Sequence, residues 1–360
     1  MAPDAPVAPA AGRPRQLSLR VKLAWCVLAP VLAAALLEFL VAALDIAPRR
    51  AQPMAVWNAR RDGELDADDG HHRFHERWLW ELRPGAEIDG EVINDDCMRG
   101  PQIPREPRPK LRIAAIGESV TFGMGVHAGE AWPAVLEQLL RDRGLDVQVL
   151  NFGVIGYTLA QGRELYLGRA SAWEPDVLLV CFPCVNEAAN ATDGFNDLVK
   201  MQIVKRRSFE LRMFLDRFAS VRWLASVLGK SLAPEALVEG SPNPRAPRVN
   251  VADFAGLIGQ LQDETRARGC SLVLVSAARS QRGEAAQPAA LEYTAALERS
   301  AAQLSIPLAD AHAAFAAAAA TEDELYLDAW HPTPEGHRVY AATVAAALDR
   351  AGLSVPEDGR

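Results

Sequence analysis

The chain has 360 residues, a formal net charge of −8 and a hydrophobic share of 49%. That length is enough to bury a large core and leave material for appendages. The mildly acidic balance excludes a nucleic-acid surface as the organising feature.

Residues 1–22 are rich in Pro and Ala and carry Arg13, Arg15 and Arg20, a composition that predicts a disordered tail. An apolar run from Leu23 to Leu44 follows, interrupted only by Pro30 and Glu38. A helix of this length crosses a hydrocarbon core of ~30 Å. The apolar region of a cleaved signal peptide is shorter, so the run predicts an uncleaved transmembrane anchor over 23–44. Positive charge is nearly balanced across it, with Arg13, Arg15, Arg20 and Lys22 before and Arg49, Arg50, Arg60 and Arg61 after. The short leading tail and the large body behind the span favour a cytoplasmic tail and an extracytoplasmic body. The expected location is therefore a single-pass inner-membrane protein facing the periplasm. Glu38 is costly against lipid, so it is expected to reach the interface or to meet a partner helix.

Residues 45–110 read as a connector. His71, His72 and His75 lie near acidic residues and predict a solvated run rather than a metal site. Pro101, Pro104, Pro107 and Pro109 make the final approach stiff and extended. From residue 111 to about 350, strands are expected at 112–116, 147–151, 177–182, 272–276 and 306–309. Amphipathic helical runs lie between them, such as 132–143 with apolar residues at 132, 135, 136, 139 and 140. The run Val177–Phe182 is apolar throughout, as a parallel strand buried on both faces requires. This alternation predicts an α/β fold with a parallel sheet between helices. A helical insertion with basic and apolar faces is expected at about 188–247. It reads equally as a lid over the site or as an extra layer on the body, and its basic-apolar helix also suits contact with lipid headgroups. Residues 351–360 form a tail.

Gly117-Glu118-Ser119 directly follows the apolar run Ile113–Ile116. A serine at that point sits at the carboxyl edge of the sheet, where open α/β folds bind their ligands. A serine nucleophile needs a base, and the base needs a carboxylate to orient it. Asp328-Ala329-Trp330-His331 supplies both near the other end of the chain. Taken singly, Ser119 reads as a helix N-cap, His331 and Gly156 as turn residues, and Asn186 as a cap. His337 reads as a residue of the last helix's start rather than a second base.

Taken together, in order and after the right strands, these residues resemble the SGNH hydrolases, also called GDSL esterases. The four blocks of that family are matched by Gly117-Glu118-Ser119, by the segment 151–158 around Gly156, by Cys184-Val185-Asn186-Glu187, and by Asp328 to His331. The third block departs from the usual pattern, with Cys184 for Gly and Glu187 for Asp. The resemblance implies a three-layer α/β/α sandwich around a flavodoxin-like sheet of five parallel strands. It also implies ester hydrolysis through an acyl-serine, with no metal or organic cofactor. Ser119 would be the nucleophile, His331 the general base, and Asp328 the group that holds the imidazole tautomer. The Ser119 amide, the Gly156 amide and the Asn186 side chain would form the oxyanion hole. The expected substrate is an O-acyl group, acetyl first, on envelope or extracellular glycans. Two alternatives keep the fold: a polysaccharide O-acetyltransferase using the same triad, and a degenerate glycan-binding or assembly protein.

Cys26 lies in the apolar run, which leaves Cys97, Cys181, Cys184 and Cys270 in the body. An even number in an exported domain permits disulfides, with Cys97 open to pairing with Cys181 or Cys184.

Overall fold

The computed structural model describes residues 18–49, 70–191, 194–230, 232, 243 and 245–354. Most of the predicted leading tail, part of the connector, most of the proline-rich end of the insertion and the final residues lie outside them. The chain divides into two compact units, Met1–Ala51 with Leu211–Ala233, and Gln52–Glu210 with Pro234–Arg360.

In the first unit the apolar run forms helix α1, Leu19–Ala43, with Pro30 inside it. Its most apolar stretch has a mean hydropathy of 2.4, and Val41 is its one buried residue among those described. Such a surface suits hydrocarbon better than water.

The second unit is built on five parallel strands: β5 (Leu111–Gly117), β6 (Val147–Gly153), β7 (Val177–Cys181), β8 (Ser271–Val275) and β9 (Leu308–Ala309). Their order is β6-β5-β7-β8-β9, so the chain reverses its direction of travel between β5 and β7. Ligands of doubly wound folds bind at such a switch point. All five expected strands are present, with ends that move by a residue or two, and the predicted flavodoxin-like order holds. Every residue of β7 is buried.

Helices of this unit pack around the sheet: α2 (Ser119–Phe122), α3 (Trp132–Asp142), α4 (Leu159–Gly168), α5 (Val185–Ala188), α6 (Asp197–Val204), α9 (Val251–Arg266), α10 (Gln281–Ala286), α11 (Ala290–Leu304), α12 (Ala311–Ala317), α13 (Glu322–Leu325) and α14 (Pro334–Arg350). Between α6 and α9, α7 (Arg207–Leu215) begins in this unit and ends in the first, to which α8 (Ala219–Val227) belongs. α3 buries Trp132, Leu136 and Leu140, as its predicted periodicity requires. Together with Tyr340, Val344 and Leu348 of α14 they fill one side of the sheet.

Two features depart from the sequence reading. Residues 72–92 are not a plain connector: they form two antiparallel hairpins, β1 (His72–His75) with β2 (Leu79–Leu82), and β3 (Glu87–Ile88) with β4 (Glu91–Val92). All four residues of β2 are buried, so the alternation by which a hairpin strand is recognised is absent. The disulfides that the cysteine count permits are not formed. All five cysteines are free, and Cys97, Cys181, Cys184 and Cys270 are buried. Burial pushes the Cys181 thiol up to about 12 and the Cys270 thiol up to about 11.

At the carboxyl edge, Gly117 pairs in register with Gly153 on one side and Cys181 on the other. A Cβ on Gly153 would lie 2.7 Å from the Thr121 carbonyl carbon and overlap the Phe122 amide, and one on Gly117 would overlap Thr121 and the Cys181 carbonyl. The missing side chains let α2 sit directly on the strand ends. Gly153→Ala should therefore lower stability by about 1–3 kcal/mol through overpacking, read as a shifted denaturation midpoint, with activity lost in step.

Candidate active site

The turn after β5 presents the first candidate. Ser119 opens α2, and the Glu118 side chain caps that helix by accepting from the Val120 amide at 3.1 Å. Gly123 closes it in the left-handed region at φ 83°, a conformation that costs a side-chain-bearing residue about 1–2 kcal/mol. One short turn thus holds Ser119 with its hydroxyl over the switch point.

The fourth block meets it there. Ser119 Oγ lies 2.9 Å from His331 Nε2. His331 Nδ1 lies 2.7 Å from Asp328 Oδ2. The other Asp328 oxygen accepts from the Trp330 amide at 2.7 Å and the His331 amide at 2.8 Å. Burial opposes the charge on Asp328, but the hydrogen bonds from the His331 ring and the two amides prevail and hold the carboxyl below its usual range. The loop itself is fixed from outside by Ser280, whose Oγ donates to the Ala329 carbonyl at 2.8 Å.

The third block is close to the serine as well. Asn186 Nδ2 donates to Glu118 Oε2 at 3.0 Å and to the Tyr157 carbonyl at 3.1 Å. Ser119 Oγ lies 2.7 Å from the same Glu118 oxygen. Glu118 therefore gathers the nucleophile candidate, the asparagine and the helix cap on one carboxylate. Both amide hydrogens of Asn186 are engaged in this state.

The two substitutions in the third block have structural reasons. Cys184 adopts φ 68°, the region that favours the glycine usual at that place. Glu187 is fully buried, and its Oε1 accepts from the Leu159 amide at 2.8 Å at the start of α4. Its longer side chain thereby ties the third block to the helix that follows the second. Burial pushes its carboxyl up to about 7, against the pull of the Leu159 amide.

The second block is braced from several directions. Gly156 adopts φ 77°. Its carbonyl accepts from Arg248 Nη1 at 2.7 Å, and the preceding Ile155 carbonyl accepts from Trp80 Nε1 at 3.4 Å. Tyr157 donates its hydroxyl to the Trp80 carbonyl. Arg248 is itself buried and paired with Asp197 through Nη2 at 2.8 Å and Nε at 3.1 Å. A second brace holds the turn after α2. Arg99 Nη2 donates to the Val126 carbonyl at 2.6 Å, and its Nη1 donates to the Gly123 carbonyl. Asp89 accepts from the Gly125 amide at 3.0 Å.

These bracing residues were not identified from the sequence. Arg99 and Arg248 are buried arginines in loops, and only the assembled neighbours distinguish them from solvated ones. The Trp78-Leu79-Trp80 cluster was the available signal for the hairpin. The start of the insertion is likewise part of the body, since Asp197 on α6 lies wholly buried against Arg248 and Thr158. His75 stacks on Trp78 with ring centroids 3.5 Å apart. His337 is buried in the first turns of α14, where its Nδ1 accepts from the Trp132 amide at 3.2 Å. Among the described residues, no group of three or more His, Cys, Asp or Glu side chains is arranged to hold a metal ion.

Two outcomes follow from this geometry. Removing a brace of the second block, by Trp80→Ala, should lower kcat up to about 10²-fold, since ångström-scale misplacement at a site has that effect. Steady-state kinetics on a small ester, with the far-ultraviolet spectrum unchanged, would read it. The raised Glu187 carboxyl has a pH signature. Between the ordinary value of 4.5 and about 7 the unfolded chain is ionised while the folded one is not. Stability should therefore fall as pH rises through that window, by at most about 3 kcal/mol, and level off above it. Glu187→Gln should flatten this slope in denaturant titrations at pH 5 and pH 8.

Comparison with known proteins agrees with the geometry. The model of the GDSL-like lipase/acylhydrolase family matches residues 115–339. Among functionally curated proteins, none matches the chain. Solved structures with a similar fold include a lipase/acylhydrolase from Enterococcus faecalis, at 15% identity over 67% of this chain and 96% of that one, with a TM-score of 0.45. They also include LAE5, an alpha/beta hydrolase from the metagenome of Lake Arreo, at 17% identity over 69% and 98%, with a TM-score of 0.45. A third is Axe2, an acetylxylan esterase from Geobacillus stearothermophilus, at 15% identity over 67% and 94%, with a TM-score of 0.44. With the family model spanning both Ser119 and His331, the chain belongs to the GDSL-like lipase/acylhydrolase family and is a carboxylic ester hydrolase.

Proposed function

We propose that this protein is a membrane-anchored, extracytoplasmic serine esterase that removes O-acyl groups, acetyl first, from envelope or extracellular glycans. The observation that carries the chemistry is the continuous chain of contacts from Ser119 through His331 to Asp328, at 2.9 Å and 2.7 Å. Both distances are within the reach that proton transfer requires.

In this reading Ser119 Oγ attacks the ester carbonyl while His331 Nε2 takes the hydroxyl proton. Asp328 holds the Nδ1 hydrogen and stabilises the imidazolium that forms. The carbonyl oxygen becomes an oxyanion facing the Ser119 amide, the Gly156 amide and Asn186 Nδ2. Donors of this kind are worth about 3–4 kcal/mol each to the transition state. Asn186 serves by turning one amide hydrogen from Glu118 to the oxyanion. His331 then protonates the departing alcohol. Water, activated by the same imidazole, opens the acyl-serine and releases the acid.

The location is supported by α1, whose 25 residues are long and apolar enough to cross a bilayer. The short tail before it and the large body behind it favour the periplasmic side. An acylated glycan is the substrate that suits that location.

Hydrolysis of p-nitrophenyl acetate by the full chain in detergent tests this. Ser119→Ala and Asp328→Asn should each lower kcat by about 10³–10⁴-fold or more while the fold persists. Equal activity in Ser119→Ala would remove Ser119 from the role. Turnover that appears only when a glycan acceptor is added would instead favour acyl transfer, and glycan binding without turnover would favour a binding protein.

A further inference from the structure

Glu38 is the one acidic residue in the apolar run, and the structure gives it partners within the same compact unit. Its carboxylate accepts from the Ala219 amide at 2.7 Å, the Ser220 amide at 2.8 Å and the Ser220 hydroxyl at 2.6 Å. Those groups form the start of α8. A carboxylate at a helix N-terminus satisfies backbone donors that would otherwise be orphaned and complements the helix dipole. The charge that would be costly against lipid is thus spent on another part of the chain, 181 residues away.

This contact fixes a depth. Glu38 lies five residues before the end of α1 at Ala43, or about 7–8 Å along the helix axis. The start of α8 and Phe218 just before it lie at the same level. A second contact sets the direction: Arg222 Nε donates to the Pro48 carbonyl at 2.8 Å, beyond the end of α1. α8 therefore begins at the level of Glu38 and runs toward the end of the apolar helix. Around it, Leu211, Phe214, Phe218, Leu224, Val227 and Leu228 are exposed. Phe214 and Phe218 meet edge to face with centroids 5.5 Å apart. This apolar surface lies in the same compact unit as the exposed apolar surface of α1.

We propose that residues 211–228 are a second membrane-contacting element. They are embedded in the leaflet at the carboxyl end of α1 and held at that depth by the Glu38 cap. The nine residues of α8 cover only about 13 Å, too short to span a bilayer. The element therefore lies within one leaflet, with Phe214 and Phe218 among the acyl chains and Arg222 toward the headgroups. The partner is the lipid itself. The proposal rests on the reading of α1 as a membrane anchor, and its test separates the two.

The full chain carrying Cys26→Ser is reconstituted into vesicles of phosphatidylcholine and phosphatidylglycerol. A nitrobenzoxadiazole label is placed on Phe218→Cys in one sample and on Leu32→Cys, in the middle of α1, in another. Collisional quenching is read with aqueous iodide and with doxyl-labelled lipid. The expected result is quenching by doxyl lipid and loss of iodide quenching at both sites. Adding Glu38→Leu should return iodide quenching at residue 218 and leave residue 32 unchanged, whereas Glu38→Gln, which keeps an acceptor, should retain most of the shielding. Iodide quenching at 218 with 32 in lipid would overturn the proposal and leave the anchor standing. Shielding of 218 from both quenchers would show that protein covers the face, and would also overturn it. A 218 label indifferent to Glu38→Leu would remove the cap from its role. Iodide quenching at 32 would remove the anchor, and the proposal with it.

Discussion

The contact between Ser119 Oγ and His331 Nε2 joins residues 212 apart in sequence, and the body is arranged so that this contact can exist. A parallel sheet brings successive strand ends to one edge, but it does not by itself bring side chains within hydrogen-bonding distance. That last step depends on how low α2 can sit. Gly117 and Gly153 leave no room for side chains, so the helix that begins with Ser119 rests on the ends of β5 and β6. On the other side, Ser280 and Asp328 fold the loop before α14 into one geometry. The hydroxyl and the imidazole are thereby positioned by backbone rather than by long flexible side chains, a cheaper way to hold a precise distance in conformational entropy.

A second theme is that carboxylates in this molecule organise backbone. Glu118 caps α2 while touching Ser119 and Asn186. Glu187 caps the start of α4 from the third block. Asp328 accepts two amides besides the imidazole, and Glu38 accepts two amides at α8. In each case a charge satisfies donors that a helix or turn leaves unpaired. The two departures in the third block fit this pattern. A longer acid at 187 reaches an amide across the gap to α4, and a cysteine at 184 keeps a backbone conformation that more bulky or branched residues resist.

Much of this was legible from residue order. The buried run Val177–Cys181, the periodicity of α3, and the positions of Ser119 and His331 follow from local patterns, because burial and spacing leave direct marks on sequence. The hairpins at 72–92 left only the Trp78-Leu79-Trp80 cluster and no alternation, since all of β2 is buried and both strands of its hairpin are short. Arg99, Arg248 and Asp197 were invisible for a different reason. The Arg248–Asp197 ion pair and the bonds from Arg99 to backbone carbonyls are properties of distant residues meeting, and no residue type announces them. Glu38 was flagged as anomalous, but its partner at 219–220 lay in a segment whose own pattern pointed only to an amphipathic helix. The cysteine count pointed toward disulfides that the structure does not form, because parity says nothing about where the side chains end up.

The four thiols of the body bear on how the protein reaches its working state. Cys97, Cys181, Cys184 and Cys270 are sealed in the interior as small apolar groups, and burial holds their protons on well past neutral pH. Maturation of this body therefore has no oxidation step. It does not wait on an oxidoreductase, and it offers none a substrate once folded. A body built this way folds without regard to the redox state of its surroundings.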